Sequence, residues 1–568
     1  MKKTLTLLLL TMVFCLSPLA ARAQETAART VERTYIATDR DFYIAGDNLW
    51  CSAFCVNVAT GRLSDLSSVV YLELHSASGV ALTAKIALDE GRGGGCIALP
   101  PSLPTGSYRL IAYTAQNRNE ADYDFTGIAA KTLSICNAFS RERVEGGVEV
   151  VSEAAPAAPL PGCEEGPLLL FAPAEAAPGE KITLTLNVPE DATVSVSVCH
   201  EDGLPHGDNA SLGGFLAALP AVGSPRMGTD YTPEYEGEII HGHIAGFSPE
   251  KKESLIGKFA FISAPGNKAD IYCSEIDSSG RLTFYTGNIY GRKELITEIE
   301  GIDTLENCHV ELESPFVEPA LPAPAPMRLS ASMSEAVSAR AMAMQIERRF
   351  ASDTLLEYLP RRDNLLFEES LRRSYHLDDY TRFPVMREVF IEFIPELRAR
   401  ENEGVRDIQV RVEDGGSDPR FYRRTSLTLL DGVPVFDQNK IYNYDPALVE
   451  NIDIYPYIYF VGKREFGGIV NFVTYKRNLP SIRFSGNVRV VNYQGVLYPT
   501  AYTCETASGD YPDYRQTAFW HPLVSVRAGK PAPLTCKLPG YAGTFTVTVE
   551  GMTAAGAPIL VRKQISVR

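Results

Sequence analysis

Apolar and polar side chains alternate along most of this chain, in short runs that turn residues interrupt. Runs of this kind, with a turn signal roughly every ten positions, predict the strands of an antiparallel sandwich rather than helices. The pattern is clearest between positions 35 and 114. There Val70, Leu72 and Leu74 occupy alternate positions, and we predict that they form an inward face together with Trp50.

Two stretches rich in proline and alanine, 153–162 and 314–327, interrupt the strand pattern and indicate extended linkers. A chain of 568 residues is also too long for a single core. The predicted segments are 1–23 (signal peptide), 24–140 (sandwich), 141–163 (linker), 164–236 (second sandwich with a loop), 237–312 (small β unit), 313–376 (Pro/Ala-rich linker and helical segment), 377–490 (α+β domain) and 491–568 (terminal sandwich).

One helix is predicted within the α+β domain. Pro384 suits a first helical position because its missing N–H needs no partner there. An apolar stripe follows at helical spacing, and Pro395 should kink the helix before it ends by Gly404 at the latest. The stripe consists of Met386, Val389, Phe390, Phe393, Ile394 and Leu397.

The N-terminus has the pattern of a secretory signal peptide. Lys2 and Lys3 precede the apolar run Leu5–Leu16, and Ala21-Arg22-Ala23 offers a small-residue cleavage site. We therefore expect export to the periplasm or to an outer-membrane-associated position, with the cell surface as an alternative. The net charge is −16 and no basic run is present, which argues against a nucleic-acid partner. No run of about 20 apolar residues follows the signal, so no transmembrane segment is expected in the mature chain.

Ten cysteines remain once Cys15 is removed with the signal. An even number in an exported protein is compatible with disulfides. Most of them lie within apolar strand patterns, however, which favours buried free thiols. Cys51 and Cys55 face the same side of a strand, where they either bridge or pack.

The first sandwich resembles the macroglobulin-like domains of the α2-macroglobulin family, specifically the second domain type. The resemblance covers an opening of the form "tDr..Y..Gd" and a closing hairpin. The opening is matched by Asp39, Tyr43, Gly46 and Asp47, and the hairpin by Leu103-Pro104, Gly106 and Tyr108. Residues 165–206 look like the start of a second such domain. The resemblance implies structural roles for the motif residues, with Gly46-Asp47 forming a tight turn.

The segment 427–476 resembles the plug domain of TonB-dependent outer-membrane receptors. The matching positions are Asp431, Gly432, Pro434, Gly462, Gly467 and Gly468, and the resemblance implies structural roles in turns and close backbone approaches. A receptor barrel of 22 strands needs roughly 220 residues. Only 92 residues follow Lys476. We therefore expect a plug-like domain without its barrel.

Two further resemblances complete the arrangement. The turn 277–280 with its flanking strands resembles the carboxypeptidase-regulatory-like units found beside plug domains. The last sixty or so residues resemble the terminal sandwich of macroglobulin-related proteins of Bacteroidetes, which identifies the chain as similar to exported proteins of that group. The fold class expected is mainly β and multidomain: tandem antiparallel sandwiches of macroglobulin or immunoglobulin type plus an α+β plug-like domain.

The sequence offers little catalytic chemistry. Gly162-Cys163-Glu164-Glu165-Gly166 departs from the macroglobulin thioester motif GCGEQ, because no glutamine is present to form the thioester. No zinc-protease, serine-hydrolase or phosphate-loop signature occurs. We therefore predict no enzymatic activity, no catalytic residues and no cofactor.

One histidine pair invites a metal hypothesis. His241 and His243 are two residues apart on a predicted strand, a spacing that suits zinc. A third ligand would have to come from His200, His206 or Cys273, and nothing in the sequence places any of them nearby. Exposed histidines on a strand are commoner than metal pairs, so no metal site is predicted.

These observations predict a non-catalytic cell-envelope protein that binds other proteins through its β modules and its barrel-less plug-like domain. The partner is expected to be a protein of the envelope, with an outer-membrane barrel protein as one candidate. The alternative is an accessory component that captures a ligand for uptake and acts with a separate TonB-dependent outer-membrane transporter.

Overall fold

The computed structural model describes residues 30–568 apart from 153–155, 224, 248–251, 267–269, 302–307, 351–355, 361–368, 403–404, 414–419, 422–423 and 504–511. The predicted signal peptide, 1–23, lies outside the described residues. The chain divides into two compact units. Unit 1 contains the chain up to Tyr235 with Phe316–Arg361 and Val496–Arg568, and unit 2 contains Glu236–Pro315 and Arg362–Gly495.

Strands are the main regular secondary structure of both units. In unit 1 the chain first forms β1 (Glu32–Thr38), β2 (Phe42–Ile44), β3 (Asn48–Asn57), β4 (Arg62–Leu63), β5 (Val69–Ser76), β6 (Gly79–Ala87), β7 (Arg92–Ala98), β8 (Gly106–Tyr113), β9 (Lys131–Cys136), β10 (Val148–Val150), β11 (Cys163–Glu165), β12 (Leu169–Phe171), β13 (Glu175–Ala176), β14 (Lys181–Asn187), β15 (Ala192–Glu201) and helix α1 (Leu212–Ala218).

The chain then alternates between the units. It forms β16 (Ile239–Ala245), α2 (Lys252–Leu255), β17 (Phe259–Ala264), β18 (Asp270–Glu275), β19 (Arg281–Tyr285), β20 (Arg292–Ile299) and β21 (His309–Leu312) in unit 2, and then β22 (Met327–Leu329), α3 (Ser334–Phe350) and β23 (Leu356–Tyr358) in unit 1.

The second passage through unit 2 is longer. It comprises β24 (Arg373–His376), α4 (Met386–Phe393), β25 (Leu397–Asn402), β26 (Val405–Val412), β27 (Arg420–Phe421), β28 (Leu427–Leu430), β29 (Val433–Pro434), α5 (Asn439–Tyr442), β30 (Val449–Val461), β31 (Arg464–Thr474) and β32 (Arg489–Gln494). Unit 1 is completed by β33 (Thr500–Tyr502), β34 (Thr517–Val526), β35 (Ala532–Lys537), β36 (Gly543–Thr553) and β37 (Pro558–Val567).

The first sandwich packs the sheet β2-β9-β8-β5-β6 against a second sheet in which β3 pairs with β1, β4 and β7. Val70, Leu72 and Leu74 face the shared core, as the alternating pattern predicts, and each is at most 1% exposed. The predicted antiparallel sandwich is thus present.

Trp50 is a correction to the predicted inward face. Leu49 and Cys51 line the first core, so alternation turns Trp50 to the opposite side of β3. It packs there with Tyr502 and Trp520, 5.1 Å from the Tyr502 ring centre. Because β3 is buried on both faces, its pattern could not show which face belonged to which core.

The second sandwich corrects the predicted boundaries 164–236 and 491–568. Its larger sheet has the order β11-β37-β36-β15-β34-β33-β23, and β12-β14-β35 forms its other layer. Strand β15 lies between β34 and β36, so strands predicted for two separate sandwiches share one core. The early strands have too few neighbours of their own to bury their apolar faces, and the late strands supply them.

The segments predicted as linkers are partly ordered against the first sandwich. Strand β10 pairs in parallel with β22, so the two predicted linkers contact each other. Residues 316–322, which form a strap, also contact the first sandwich. The Phe316 ring meets Tyr71 edge-on at 5.9 Å between centroids, and Arg109 donates to the Pro322 carbonyl. The helical segment expected after the strap is α3.

Unit 2 contains a third sandwich and a mixed sheet. The sandwich packs β19-β16-β21 against β18-β17-β20-β32. Strand β32 was predicted to lie outside the 237–312 unit, but its pairing with β20 makes it an edge of this sandwich. The chain therefore returns to complete the third sandwich after the mixed sheet, as it returns to complete the second.

The mixed sheet has the order β24-β30-β31-β28-β29, with β28 parallel to β31 and α4 packed on one face. Helix α4 starts at Met386 rather than Pro384 and ends at Phe393, before Pro395. Leu397, predicted on the helical stripe, begins β25 instead, because a proline cannot continue the hydrogen-bond ladder. The α+β character of this region and the mainly β, multidomain fold class are as predicted.

The nine cysteines of the described part of the chain are free thiols, buried or half-buried. Cys51 and Cys55 both pack into the first core without bridging. Among the described helices, none is long and apolar enough to cross a membrane.

Candidate functional site

The macroglobulin-like opening forms a buried charged cluster in unit 1. Asp39 follows β1, and its carboxylate accepts hydrogen bonds from the Tyr43 hydroxyl (2.8 Å), the Trp50 backbone N–H (3.2 Å) and the Thr517 hydroxyl (2.6 Å). Burial raises the pKa of Asp39, and these donors with Arg40 oppose that rise. Since Thr517 lies on β34, Asp39 links the first sandwich to the second.

The positive charge of Arg40 partly neutralises the two carboxylates of this cluster. Its guanidinium lies 3.2 Å from Asp47 and 3.5 Å from Asp39, and over the Tyr43 ring. Burial opposes the positive charge, but Asp47 and Asp39 raise the pKa of Arg40 above its ordinary value. The cluster therefore consists of one cation shared by two carboxylates, an arrangement that joins elements rather than one that activates a substrate.

The predicted turn at Gly46-Asp47 positions helix α3. Gly46 has φ +103°, which side chains adopt rarely, and Asp47 accepts the Ile44 backbone N–H at 2.8 Å. A Cβ on Gly46 would lie 3.2 Å from the Met344 side chain of α3. The missing side chain at Gly46 thus allows α3 to pack closely against the turn.

Gly106 and Tyr108, the other two motif positions, lie elsewhere in the same sandwich. The Tyr108 hydroxyl donates to the Pro104 carbonyl at 2.7 Å. A Cβ on Gly106 would come within 2.7 Å of Cβ of Val144, so only glycine fits beside this residue without rearrangement. The six motif residues thus divide into a charged joint and a hairpin closure.

A polar cavity of about 130 Å³ adjoins the charged cluster. Its carboxylates have partners: Glu201 lies 3.1 Å from His206, Asp202 accepts from Arg340 at 2.9 Å, and Glu550 accepts from Tyr35 at 2.8 Å. Arg340 and the other charged partners stabilise the ionised forms, so the pKa of Asp202 and of Glu201 is lowered despite burial.

Among the residues that line the cavity, Cys199 and His200 are the types that could form a nucleophile and its general base. The Cys199 thiol donates to the Asp39 carbonyl at 3.3 Å, and burial raises the pKa of Cys199 to about 12. Burial lowers the pKa of His200. Both shifts disfavour the thiolate–imidazolium pair that nucleophilic catalysis requires.

Sequence reasoning missed another buried carboxylate of unit 1, at Glu73. This side chain is fully buried and binds His75 (2.8 Å), the Tyr113 hydroxyl, and the backbone N–H groups of Val317 (3.0 Å) and Glu318 (3.1 Å). Burial alone would raise the pKa of Glu73, but these donors lower it below its ordinary value. Glu73 therefore anchors the strap to the first sandwich.

In unit 2 the plug-like motif forms a tight junction of the mixed sheet. Asp431 has φ +49° and is fully buried. Its carboxylate accepts the Thr474 backbone N–H (2.6 Å), the Thr474 hydroxyl (2.7 Å) and the Leu479 backbone N–H (2.9 Å). Gly432, at φ +81°, donates its N–H to the Asn471 side chain at 3.0 Å.

The remaining plug-motif residues surround this junction. Pro434 pairs with Leu429 in the β28–β29 hairpin, and Gly467 donates its N–H to the Thr425 carbonyl at 3.1 Å. Two glycines with positive φ permit close contacts: a Cβ on Gly462 would lie 2.9 Å from the Cys273 carbonyl, and one on Gly468 would lie 2.6 Å from Cβ of Val410. In this structure the six residues shape turns and packing.

The histidine pair lies on the sheet β19-β16-β21 of unit 2. His243 is directly opposite Glu311 of β21, and His309 precedes Glu311 by two residues on the same face. The third ligands considered from the sequence are placed otherwise: His200 and His206 belong to unit 1, and Cys273 lies on β18 of the opposing sheet. The alternating pattern of "CHVEL" could have predicted that His309 and Glu311 lie on the same face of one strand.

Comparisons with known proteins give only distant structural matches. No family model and no curated protein matches the chain. An elastase-activated Escherichia coli α2-macroglobulin is similar at 9% identity and TM-score 0.24, over 94% of this chain and 44% of that protein. The native form of E. coli α2-macroglobulin gives 9% identity and TM-score 0.24, over 95% and 40%.

The Yersinia pseudotuberculosis adhesin InvE is similar over 50% of this chain and 57% of that protein, at 11% identity and TM-score 0.13. This chain spans less than half the length of the two α2-macroglobulins. TM-scores this low do not establish a common overall fold. The architecture of this chain is therefore defined by its own strand pairings.

Proposed function

We propose that this chain is a non-catalytic protein of the cell envelope that binds another protein through its β modules. The observation that carries the proposal is the outer face of the sheet β12-β14-β35. Strand β12 is an edge of this sheet, and Leu169 and Phe171 point outward from it, 59% and 57% exposed. Large apolar side chains beside an open strand edge are typical of surfaces that pair with a partner strand.

The edge is guarded in the free chain. Lys563 donates to the carbonyl of Leu170 at 2.7 Å, and Leu170 itself is buried in the core. A lysine at this position discourages unselective strand pairing. A partner strand would displace Lys563, form main-chain hydrogen bonds to β12 and cover the two exposed side chains.

Export and location belong to the same proposal. The signal-like N-terminus supports an envelope location, in the periplasm or at the outer membrane, with the cell surface as an alternative. The plug-like resemblance of the mixed sheet supports a partner in the outer membrane, and a barrel protein there is the first candidate to test.

The direct test begins with the tagged mature chain and an outer-membrane extract. The captured protein is identified and purified, and its dissociation constant is measured with wild-type chain and with Leu169→Ser/Phe171→Ser. We expect at least about tenfold weaker binding by the double variant, because two large apolar contacts are lost. Ile391→Ser, which removes a 69% exposed side chain from α4, serves as the matched control.

Equal affinity of the wild-type chain and the double variant would refute strand pairing at β12. Measurable turnover of a substrate by the purified chain would refute the non-catalytic part of the proposal.

The polar cavity of unit 1 supports a second candidate, an accessory ligand-binding component that acts with a separate TonB-dependent outer-membrane transporter. Nε of Arg562 and Nη1 of Arg40 are buried there without hydrogen-bond partners among the described residues, so they offer donors to a small polar ligand. Binding of a small solute that Arg562→Leu abolishes, with no effect on protein capture, would favour this second function.

A further inference from the structure

Four side chains form an acid–base ladder on the outer face of the sheet β19-β16-β21. His243 of β16 faces Glu311 across the strand pair, and His309 and Glu313 lie two residues to either side of Glu311. Alternation along β21 places His309 and Glu311 on one face with His243, and Glu313, just after the strand, also lies beside His243. Imidazole and carboxylate groups are the ligands that zinc takes besides thiolates.

Each histidine lies at about the ligand–ligand distance of a zinc site from one oxygen of Glu311. Nε2 of His243 lies 3.4 Å from Oε2, and Nε2 of His309 lies 3.3 Å from Oε1 of the same carboxylate. Around a tetrahedral zinc with bonds of 2.0–2.2 Å, neighbouring ligand atoms are about 3.3–3.6 Å apart. An ion bound among these three groups would require side-chain rotations that bring the two ring nitrogens and one carboxylate oxygen to a common point.

We propose that His243, His309 and Glu311 form a zinc-binding site, with water in the fourth position. In the part of the chain that the structure describes, no group of three or more histidine, cysteine, aspartate or glutamate side chains is already placed to hold a metal ion. The site therefore closes when the ion binds. His243 and Glu311 are half exposed, at 51% and 52%, so their rotation meets little packing resistance.

Among the described residues, Glu313 supports the site, whereas Arg489 and Arg281 oppose it, Arg281 being paired opposite His243 on β19. Glu313 lies 3.9 Å from Nδ1 of His243, where it can orient the ring while Nε2 binds the ion. Arg489 lies 3.3 Å from Nδ1 of His309. Zinc at Nε2 moves the ring proton to Nδ1, so the Arg489 guanidinium must move away for the ion to bind.

The test measures zinc binding by the full mature chain, with ZnCl2 titrated against a competing chelator. We expect one zinc ion per chain with wild-type protein. His243→Gln and Glu311→Gln should each weaken binding at least about tenfold. Arg489→Gln should tighten binding about tenfold, because this opposing cation is gone.

His376→Gln is the matched control, since this exposed histidine lies on β24 of the mixed sheet. Circular dichroism of each variant checks that the sheets are intact. Unchanged zinc affinity in His243→Gln and Glu311→Gln, equal losses in His376→Gln, or no stoichiometric binding by wild-type chain would each overturn the proposal. The result is independent of protein capture at β12, so failure here leaves the proposed function standing.

Discussion

Replacing Asp431 by asparagine should open the mixed sheet of unit 2. Asparagine tolerates the φ of +49° at this position, so the variant changes the side chain without adding backbone strain. It keeps one acceptor oxygen but replaces the other by an NH2 group, which cannot accept the Leu479 backbone N–H. That half-buried donor then loses its acceptor.

The structure sets the magnitude. An unsatisfied buried N–H costs about 1–3 kcal/mol, and the remaining hydrogen bonds lose the negative charge of their acceptor. We expect Asp431→Asn to lower the local free energy of opening by about 3 kcal/mol. Asp431→Ala should cost about 1 kcal/mol more, because alanine does not favour positive φ.

Hydrogen exchange of the β28 and β31 amides measures this loss directly. A chain of two units need not unfold in one step, so a single global unfolding free energy is not well defined. A loss of about 3 kcal/mol corresponds to roughly 100-fold faster exchange. Asp445→Asn is the matched control, because asparagine caps the following turn as well as aspartate does. Exchange in Asp431→Asn within about threefold of wild type would refute the reasoning.

Three further outcomes are expected. Hydrogen-bond donors lower the pKa of Glu73 in the folded chain, so its stabilisation of the strap is present above the ordinary value of 4.5 and is lost as the pH falls below that value. Proteolysis of the strap should therefore become faster on acidification. Glu73→Gln should make the strap equally susceptible to proteolysis at pH 7. Burial lowers the pKa of His521 to about 4 from 6.5, so the second sandwich should lose up to about 3 kcal/mol as the pH falls from 6.5 to 4; His521→Gln should flatten this part of the pH–stability curve. Gly468→Ala should destabilise unit 2 by about 3 kcal/mol, because its φ is positive and the new Cβ would overlap with the neighbouring strand. Gly529→Ala, at φ +66° with open space around it, should cost only about 1 kcal/mol. Thermal melting of the two variants measures the difference.

Local features of the fold could be predicted from the sequence. Val70, Leu72 and Leu74 alternate because one face of β5 packs into a core, and that relation holds within a single strand. The turn at Asp431-Gly432 could be predicted because positive φ restricts the residues that fit there. Its three buried acceptor contacts could not, since their donors lie 43 and 48 positions further along the chain.

Pairing between distant strands accounts for most of the differences. Strand β15 reads as a half-buried strand, but nothing within it specifies that its neighbours are β34 and β36. Trp50 was assigned to the wrong face for the same reason, because its partner Trp520 lies in the last segment of the chain. Similarly, His243 could be recognised as a potential ligand, whereas Glu311 became its neighbour only through the strand register.

The nested order of the strands has a consequence for how the molecule is made. The three residues of β11 find their partner only in β37, close to the C-terminus, and the chain passes between the two units four times. The second sandwich therefore cannot close until β37 has been synthesised, and its early strands lack these partners meanwhile. Such distant pairings slow folding and leave unpaired edges open to aggregation.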